Sequence, residues 1–227
     1  MLEETVLEFE QHCSPTDVAR ILLFLSDRAS PGCQETAKKL AASNLPIPVV
    51  IYPEIGRHFG QELQELVTAQ TDCSHAVFWT ADREAEPKLG AHMIQLAKEH
   101  PAAVINISCY MPGGYPDPGK SKFIRFRDAA FAKMVRILYH SKQTDPLHLL
   151  CVFPVEPYIH FDLHEPFMSF CIELNLLFDR SGAQIIEVPL RQQPRKEGKS
   201  NLSLKDRLRF FVPVFRLRFL PKRKLYK

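Results

Sequence analysis

Several residues of this 227-residue chain have types and spacings that could do chemistry. Asp82 and Glu84 are oxygen donors two residues apart, in a polar stretch that follows a short apolar run. Hard oxygen ligands of this kind suit Mg²⁺ or Mn²⁺. An Asp placed here is equally a common cap for a following helix. Arg195 lies in a polar loop over 192–200 that offers it little packing role. A guanidinium grips phosphate with two-pronged donors. His160 and His164 are four apart, a helix-face spacing, but Asp162 between them and Pro166 beyond indicate a loop without further zinc ligands. The six cysteines (Cys13, Cys33, Cys73, Cys109, Cys151 and Cys171) form no CxxC pair, which argues against a structural zinc site. Several sit in apolar runs, as small buried hydrophobes do.

The elements that must position these groups are legible as alternating patterns. Short apolar runs at 20–25, 47–52, 76–79 and 102–107 read as strands. Between them, 31–42 begins with Pro at its first turn, 59–69 repeats apolar residues at Phe59, Leu63, Leu66 and Val67, and 87–99 sets Leu89, Met93, Leu96 and Ala97 on one face. All three read as helices. This alternation predicts an α/β domain over 1–204, with a mainly parallel sheet covered by helices on both faces. Ligands of such sheets bind beyond the carboxyl ends of the strands, so 26–32, 53–60 and 80–87 are the loops of interest. Farther on, 110–121 is rich in Gly and Pro and reads as a loop. Helices are expected over 127–139 and 165–180, the second stopped at Ser181-Gly182, and strands over 148–153 and 185–190.

Charge is uneven. Residues 205–227 hold nine Lys or Arg and one Asp, so this tail carries +8 against −5 for the rest. Leu204, Leu208, Phe211, Val212, Phe215 and Phe219 share one helical face there, bordered by arginines, and Pro213 should kink it. A basic amphipathic helix with aromatics reads as an in-plane anchor on an anionic membrane surface; the plainer reading is a terminal helix packed on the domain with its arginines in water. An acidic body without a recognised motif argues against nucleic acid. No apolar run reaches the roughly 18 residues of a spanning helix. The glutamate-rich start, 1–13, lacks the basic and apolar parts of a secretory signal, so a cytoplasmic location with reduced thiols is expected.

Three landmarks occur in order: Ser26-Asp27-Arg28-Ala29-Ser30-Pro31-Gly32, then Thr80-Ala81-Asp82 with Pro87, then Glu187-Val188-Pro189 followed by Arg195-Lys196-Glu197-Gly198-Lys199-Ser200. Across roughly 15–205 they resemble family 2 glycosyltransferases, and among these the polyprenyl-phosphate sugar transferases. The family's loops read Asp-Asp-Gly-Ser-x-Asp-Gly-Thr, Asp-Ala-Asp, and Glu-Val-Pro with Arg-x-x-Gly-x-Ser. The resemblance implies a GT-A fold of Rossmann-like type. It also implies transfer of a sugar from a nucleotide-diphosphate donor to a polyprenyl phosphate or similar acceptor, at the inner face of the membrane. Asp82 takes the place of the family's metal-binding Asp, with Glu84 able to supply a second ligand to Mg²⁺ or Mn²⁺. Asp27 takes a nucleobase-binding position, though a turn carboxylate is the plain alternative. Arg125, Arg127, Arg195, Lys199 and Ser200 fall where the family holds the acceptor or diphosphate. For Arg125 and Arg127 a solvated basic face is as good an account. An acceptor that is already a phosphate anion needs no general base, and none is obvious.

The departures bear on activity. Thr80 replaces a family carboxylate, Cys109 replaces an Arg of a Ser-Arg-Tyr pattern, and the Asp27 loop is altered. The family's opening strand, ending in Pro-x-Tyr-Asn-Glu, has no counterpart, since 1–13 matches the helix after it. Either the reading frame starts upstream or the sheet is rebuilt. Three readings follow: an active transferase, a catalytically degenerate homologue that binds a nucleotide or a regulatory partner, and an unrelated α/β domain that docks on membranes.

Overall fold

The computed structural model describes residues 1–26, 29–54, 59–166, 168–194 and 204–227. In chain order the elements are α1 (Leu2–His12), β1 (Ile21–Leu25), α2 (Pro31–Ala42), β2 (Val49–Pro53), α3 (Phe59–Thr68), β3 (His75–Phe78), α4 (Pro87–Glu99), β4 (Ala103–Ser108), α5 (Lys122–Tyr139), β5 (Cys151–Pro154), α6 (Val155–Ile159), α7 (Ser169–Ser181), β6 (Gln184–Pro189), α8 (Leu204–Arg209) and α9 (Phe211–Phe219). Local chemistry explains several boundaries. Ser30 accepts the Cys33 N–H at 3.2 Å and Pro31 opens α2, a capped start with fixed φ. Gly182, at φ 88°, ends α7 in the left-handed region where a Cβ would be strained.

The strands are mainly parallel, as expected, with two departures from a single parallel sheet. β1 pairs in parallel with β2 from Ile21↔Val49 to Leu25↔Pro53, and this pair stands apart from a four-stranded sheet ordered β3-β5-β4-β6. Within the larger sheet β4 and β6 are parallel, whereas β5 runs antiparallel to both β3 and β4. The reason lies in the connection. After α5 the chain passes through an irregular segment at the carboxyl end of β4 and enters β5 from there, so β5 must run back. The strand expected over 148–153 is correspondingly short, because His148 and Leu149 belong to that segment.

Three apolar clusters hold the layers. α1 and α2 cover β1 and β2 through Val6, Ala37, Leu40 and Leu23, and α4 covers β4 and β5 through Met93, Ile94 and Ala97. On the other side the largest cluster surrounds α7, buried on every side from Ser169 to Phe178. Aromatic rings fill it: Phe78 and Phe153 lie 4.8 Å apart between centroids, as do Phe153 and Tyr158.

The basic tail joins this core. Val214, Leu217 and Leu225 are buried in the main cluster, Tyr139 donates to the Val214 carbonyl at 2.5 Å, and Arg216 pairs with the fully buried Glu173. The arginine of α9 that meets Glu173 therefore points inward, unlike the arginines of a simply packed amphipathic helix. The apolar face read from the sequence points outward: Leu208, Phe211, Val212, Phe215 and Phe219 are all exposed. α8 and α9 break at Phe210, three residues before Pro213. Among the described residues no helix is long and apolar enough to cross a membrane.

Candidate functional site

The strand directions place the carboxyl ends of β3, β4 and β6 on one edge of the larger sheet, where the segment entering β5 also lies. The loops after β3, β4 and β6 meet there. In the first, Asp82 Oδ1 accepts the Thr80 hydroxyl at 2.8 Å and the Glu84 N–H at 3.3 Å. Asp82 does not cap α4, whose N-cap is Glu86. Between the two acids Arg83 sits at φ 59°, a left-handed conformation that costs a non-glycine residue about 1 kcal/mol or more. Its guanidinium turns to α1, 2.7 Å from Glu8 and 3.7 Å from Glu4. That anchor holds the turn that carries Asp82 and Glu84.

Glu84 links this loop to the one after β6. Its Oε2 accepts the Gln192 amide at 2.6 Å, and its carbonyl accepts the Gln193 N–H at 2.9 Å. Gln192 Oε1, the side-chain amide oxygen, in turn accepts the Asp117 N–H at 3.1 Å and lies 4.0 Å from Cys109 Sγ.

Cys109 follows β4 and is buried. Burial, reinforced by the Asp145 carboxylate, pushes its thiol up to about 12. Cys109 Sγ is 3.5 Å from His148 Nε2, and Asp145 Oδ2 is 3.4 Å from the same nitrogen. Both neighbours approach one ring nitrogen, so the three do not form a relay of the nucleophile–base–carboxylate kind, in which the acid meets the opposite nitrogen. Asp145 Oδ2 also accepts the Cys109 N–H at 3.1 Å.

The segment carrying Asp145 and His148 has no regular structure, yet it is held from below. Glu187 Oε1 accepts the N–H groups of Thr144 at 2.7 Å and Asp145 at 3.2 Å, and its Oε2 accepts the Thr144 hydroxyl at 2.8 Å. Burial raises the Glu187 pKa above its ordinary value despite these bonds. Asn175, from α7, donates to the carbonyls of Pro146 at 3.1 Å and His148 at 2.8 Å, and accepts from Asn106 at 2.8 Å. Gln143 completes this buried network with Asn106 and the Asn175 carbonyl.

A shallow cavity of about 370 Å³ opens beside these groups, lined by Gly113, Gly114, Tyr115, Pro118, Arg191, Gln192 and Gln193. Gly114 lets the loop approach β4: a Cβ there would sit 2.5 Å from the Ser108 carbonyl oxygen. Arg125 reaches the cavity rim through Tyr115, whose hydroxyl accepts from it at 3.2 Å. Arg127 pairs with its neighbour Asp128 at 2.6 Å. The structure thus brings Asp82, Glu84 and Arg125 to one edge of the sheet, while Asp27, Arg195, Lys199 and Ser200 lie outside the described residues. His160 and His164 do not meet; each makes its own exposed pair, with Glu156 at 3.1 Å and Asp162 at 2.9 Å.

Sequence reading missed Cys109, Asp145, His148 and Gln192 as a group, and took Glu187 as a landmark only. The spacing of Asp145 and His148, with Pro146 between them, was a weak signal; their separation from Cys109 hid the rest.

No protein-family model matches the chain, and no curated protein matches it in sequence. Its architecture is that of the GT-A glycosyltransferases, established by solved structures. Glucosyl-3-phosphoglycerate synthase from Mycobacterium tuberculosis, in complex with Mn²⁺, uridine diphosphate and phosphoglyceric acid, is similar at a TM-score of 0.62 and 14% identity, over 97% of this chain and 77% of that one. The same enzyme described without those ligands gives 0.63 and 15%, over 97% and 78%. A structure described as a mycobacterial protein gives 0.67 and 16%, over 96% and 72%.

Proposed function

We propose that this protein transfers a sugar from a nucleotide-diphosphate donor to a phosphate-bearing acceptor, a polyprenyl phosphate or similar lipid phosphate in particular. One observation carries the reading: within a GT-A fold, the Asp82 turn stands at the carboxyl end of β3 and is hydrogen-bonded at Glu84 to Gln192 and Gln193, the segment leading to Arg195. Asp82 and Glu84 are hard oxygen donors and fit Mg²⁺ or Mn²⁺. Such an ion supplies charge neutralisation at the departing diphosphate. The chain's own part is positioning. Arg83 fixes the turn through Glu8, and Gln192 sets the Glu84 carboxylate. Asp27 would accept hydrogen bonds from the nucleobase. Arg125, Arg127, Arg195, Lys199 and Ser200 would hold the acceptor phosphate or the diphosphate. In support, Arg125 stands at the rim of the cavity beside Tyr115.

The test is a titration with UDP- and GDP-sugars, with and without Mn²⁺, repeated on Asp82→Ala. Metal-dependent binding that disappears in the variant is the expected result. A nucleotide that binds without turnover favours the degenerate homologue, a reading supported by Thr80, whose hydroxyl hydrogen-bonds to Asp82 where the family has a second carboxylate. Failure of every nucleotide to bind rejects sugar transfer and leaves a degenerate homologue that binds a regulatory partner, or an unrelated membrane-docking domain.

The reading places the reaction at the inner face of a membrane. The outward face of α9 supports this, because it continues into α5: Phe126, Ala130, Met134, Ile137 and Phe215 line an apolar groove of about 700 Å³. Phe123, Phe126 and Phe219 are each more than 70% exposed, Lys133 lines the same groove, and the neighbouring helices α5 and α8 carry the further cations Arg136 and Arg207. Apolar rings together with cations suit an anionic lipid surface.

A further inference from the structure

We propose that Cys109, Asp145 and His148 form a binding site for a borderline-soft divalent ion of the Zn²⁺ class, separate from the oxygen donors Asp82 and Glu84. The three ligand atoms all lie within 4.8 Å of one another. A tetrahedral ion with bonds of about 2.3 Å to sulfur and about 2.0–2.1 Å to nitrogen and oxygen holds sulfur and nitrogen about 3.5 Å apart, and nitrogen and oxygen about 3.4 Å apart. The Sγ···Nε2 and Nε2···Oδ2 separations are 3.5 Å and 3.4 Å. Two of the three ligand–ligand edges of such a tetrahedron are thus already at length, and the third, Sγ to the Asp145 carboxylate, is within 4.8 Å.

The donor set chooses the ion. Thiolate and imidazole favour Zn²⁺ over Mg²⁺ or Mn²⁺, which prefer oxygen throughout. Three protein ligands leave a fourth position, as in sites that keep a water or a substrate oxygen. His148 retains 20% of its side-chain exposure, which gives an ion a way in, while Asp145 at 1% closes the far side.

The surroundings are built as ligand supports are. Glu187 holds the Asp145 backbone, the Cys109 N–H holds the Asp145 carboxylate, and Asn175 holds the backbone carbonyl of His148. A bound ion would bridge the loop after β4 to the segment before β5 and fix the floor beneath Gln192. On binding, the Cys109 S–H bond breaks, the electron pair stays on sulfur as the metal–sulfur bond, and the proton leaves to solvent.

The experiment uses the full chain, stripped with a chelator and titrated with Co²⁺ as a coloured stand-in, then with Zn²⁺ in competition. One equivalent of Co²⁺ should give an intense visible spectrum of tetrahedral type and a near-ultraviolet thiolate-to-metal band, both erased by one equivalent of Zn²⁺. Cys109→Ser should abolish the ultraviolet band, and His148→Ala, which removes a direct ligand, should weaken Co²⁺ binding by more than the roughly 10- to 100-fold lost when only a ligand's supporting partner is changed. Absence of the band, or its survival in Cys109→Ser through the half-buried Cys13, Cys33 or Cys73, overturns the proposal. If Cys109→Ser does not fold, His148→Ala decides, and unchanged affinity there overturns it. Asp82→Ala should leave the Co²⁺ spectrum intact, which separates this site from the sugar-transfer reading.

Discussion

Glu187 offers a quantitative test of how the site is held. Replacing it with Ala removes three hydrogen bonds accepted by a carboxylate, each worth about 1.5–3 kcal/mol when the partner is charged. Two offsets reduce the sum. The Thr144 hydroxyl keeps a partner in Ser108 Oγ at 2.5 Å, and a carboxylate that burial disfavours is taken away. What remains is two backbone N–H groups left without their acceptor in a largely buried segment, so Glu187→Ala should lose about 2–4 kcal/mol. Glu187→Gln should behave differently. In the native structure Oε1 alone accepts both N–H groups, a role the Gln carbonyl oxygen can keep. The new amide then donates to Thr144 Oγ1, and that hydroxyl donates to Ser108. Glu187→Gln should therefore stay within about 1 kcal/mol of wild type near neutral pH. The pH dependence has a definite sign. Glu187 has a folded pKa raised above its ordinary 4.5, so its favourable contribution is complete below 4.5 and fades as pH rises through the folded value. The stability of Glu187→Gln relative to wild type should accordingly improve across that window. Urea denaturation followed by the single tryptophan, Trp79, and by circular dichroism measures all of this. A loss under 1 kcal/mol in Glu187→Ala, or equal losses in both variants, would refute the clamp.

Three more outcomes are expected. Arg216→Ala leaves Glu173, 0% exposed, with the His164 and Glu165 N–H groups as its partners among the described residues and should cost about 3–5 kcal/mol, with Glu173→Gln restoring part of it in the double variant; a loss below 1 kcal/mol in denaturation would show that the pair does not dock the tail. Gly114→Ala sets a Cβ against the Ser108 and Cys109 backbone and should destabilise by about 1–3 kcal/mol, read as a lowered melting temperature; an unchanged one means the loop moves freely. Phe215→Ser with Phe219→Ser removes two exposed rings that would each gain about 1.5–3 kcal/mol on burial. Sedimentation with anionic liposomes at low salt should then fall at least tenfold, and failure of the intact protein to sediment rejects the membrane reading.

The sequence by itself determined what depends on neighbours along the chain. Pro31 marked the start of α2, Ser181-Gly182 marked the end of α7, and apolar periods located α3, α4 and the strands, because helix and strand patterns repeat within a few residues. Order and type of element were enough to indicate an α/β fold, and the resemblance carried by three loops implied its GT-A kind, which solved structures bear out. The reversal of β5 was not legible: a short apolar run has the same appearance in either direction, and only its two neighbours fix its sense. The inward turn of Arg216 was equally hidden, since its partner Glu173 lies 43 residues away. Tertiary structure alone decided that Cys109, 36 residues from Asp145 and 39 from His148, meets both. Convergence of that kind is a product of strand order and of the buried Asn106, Gln143, Asn175 and Glu187 network, and neither leaves a periodic trace in a linear chain.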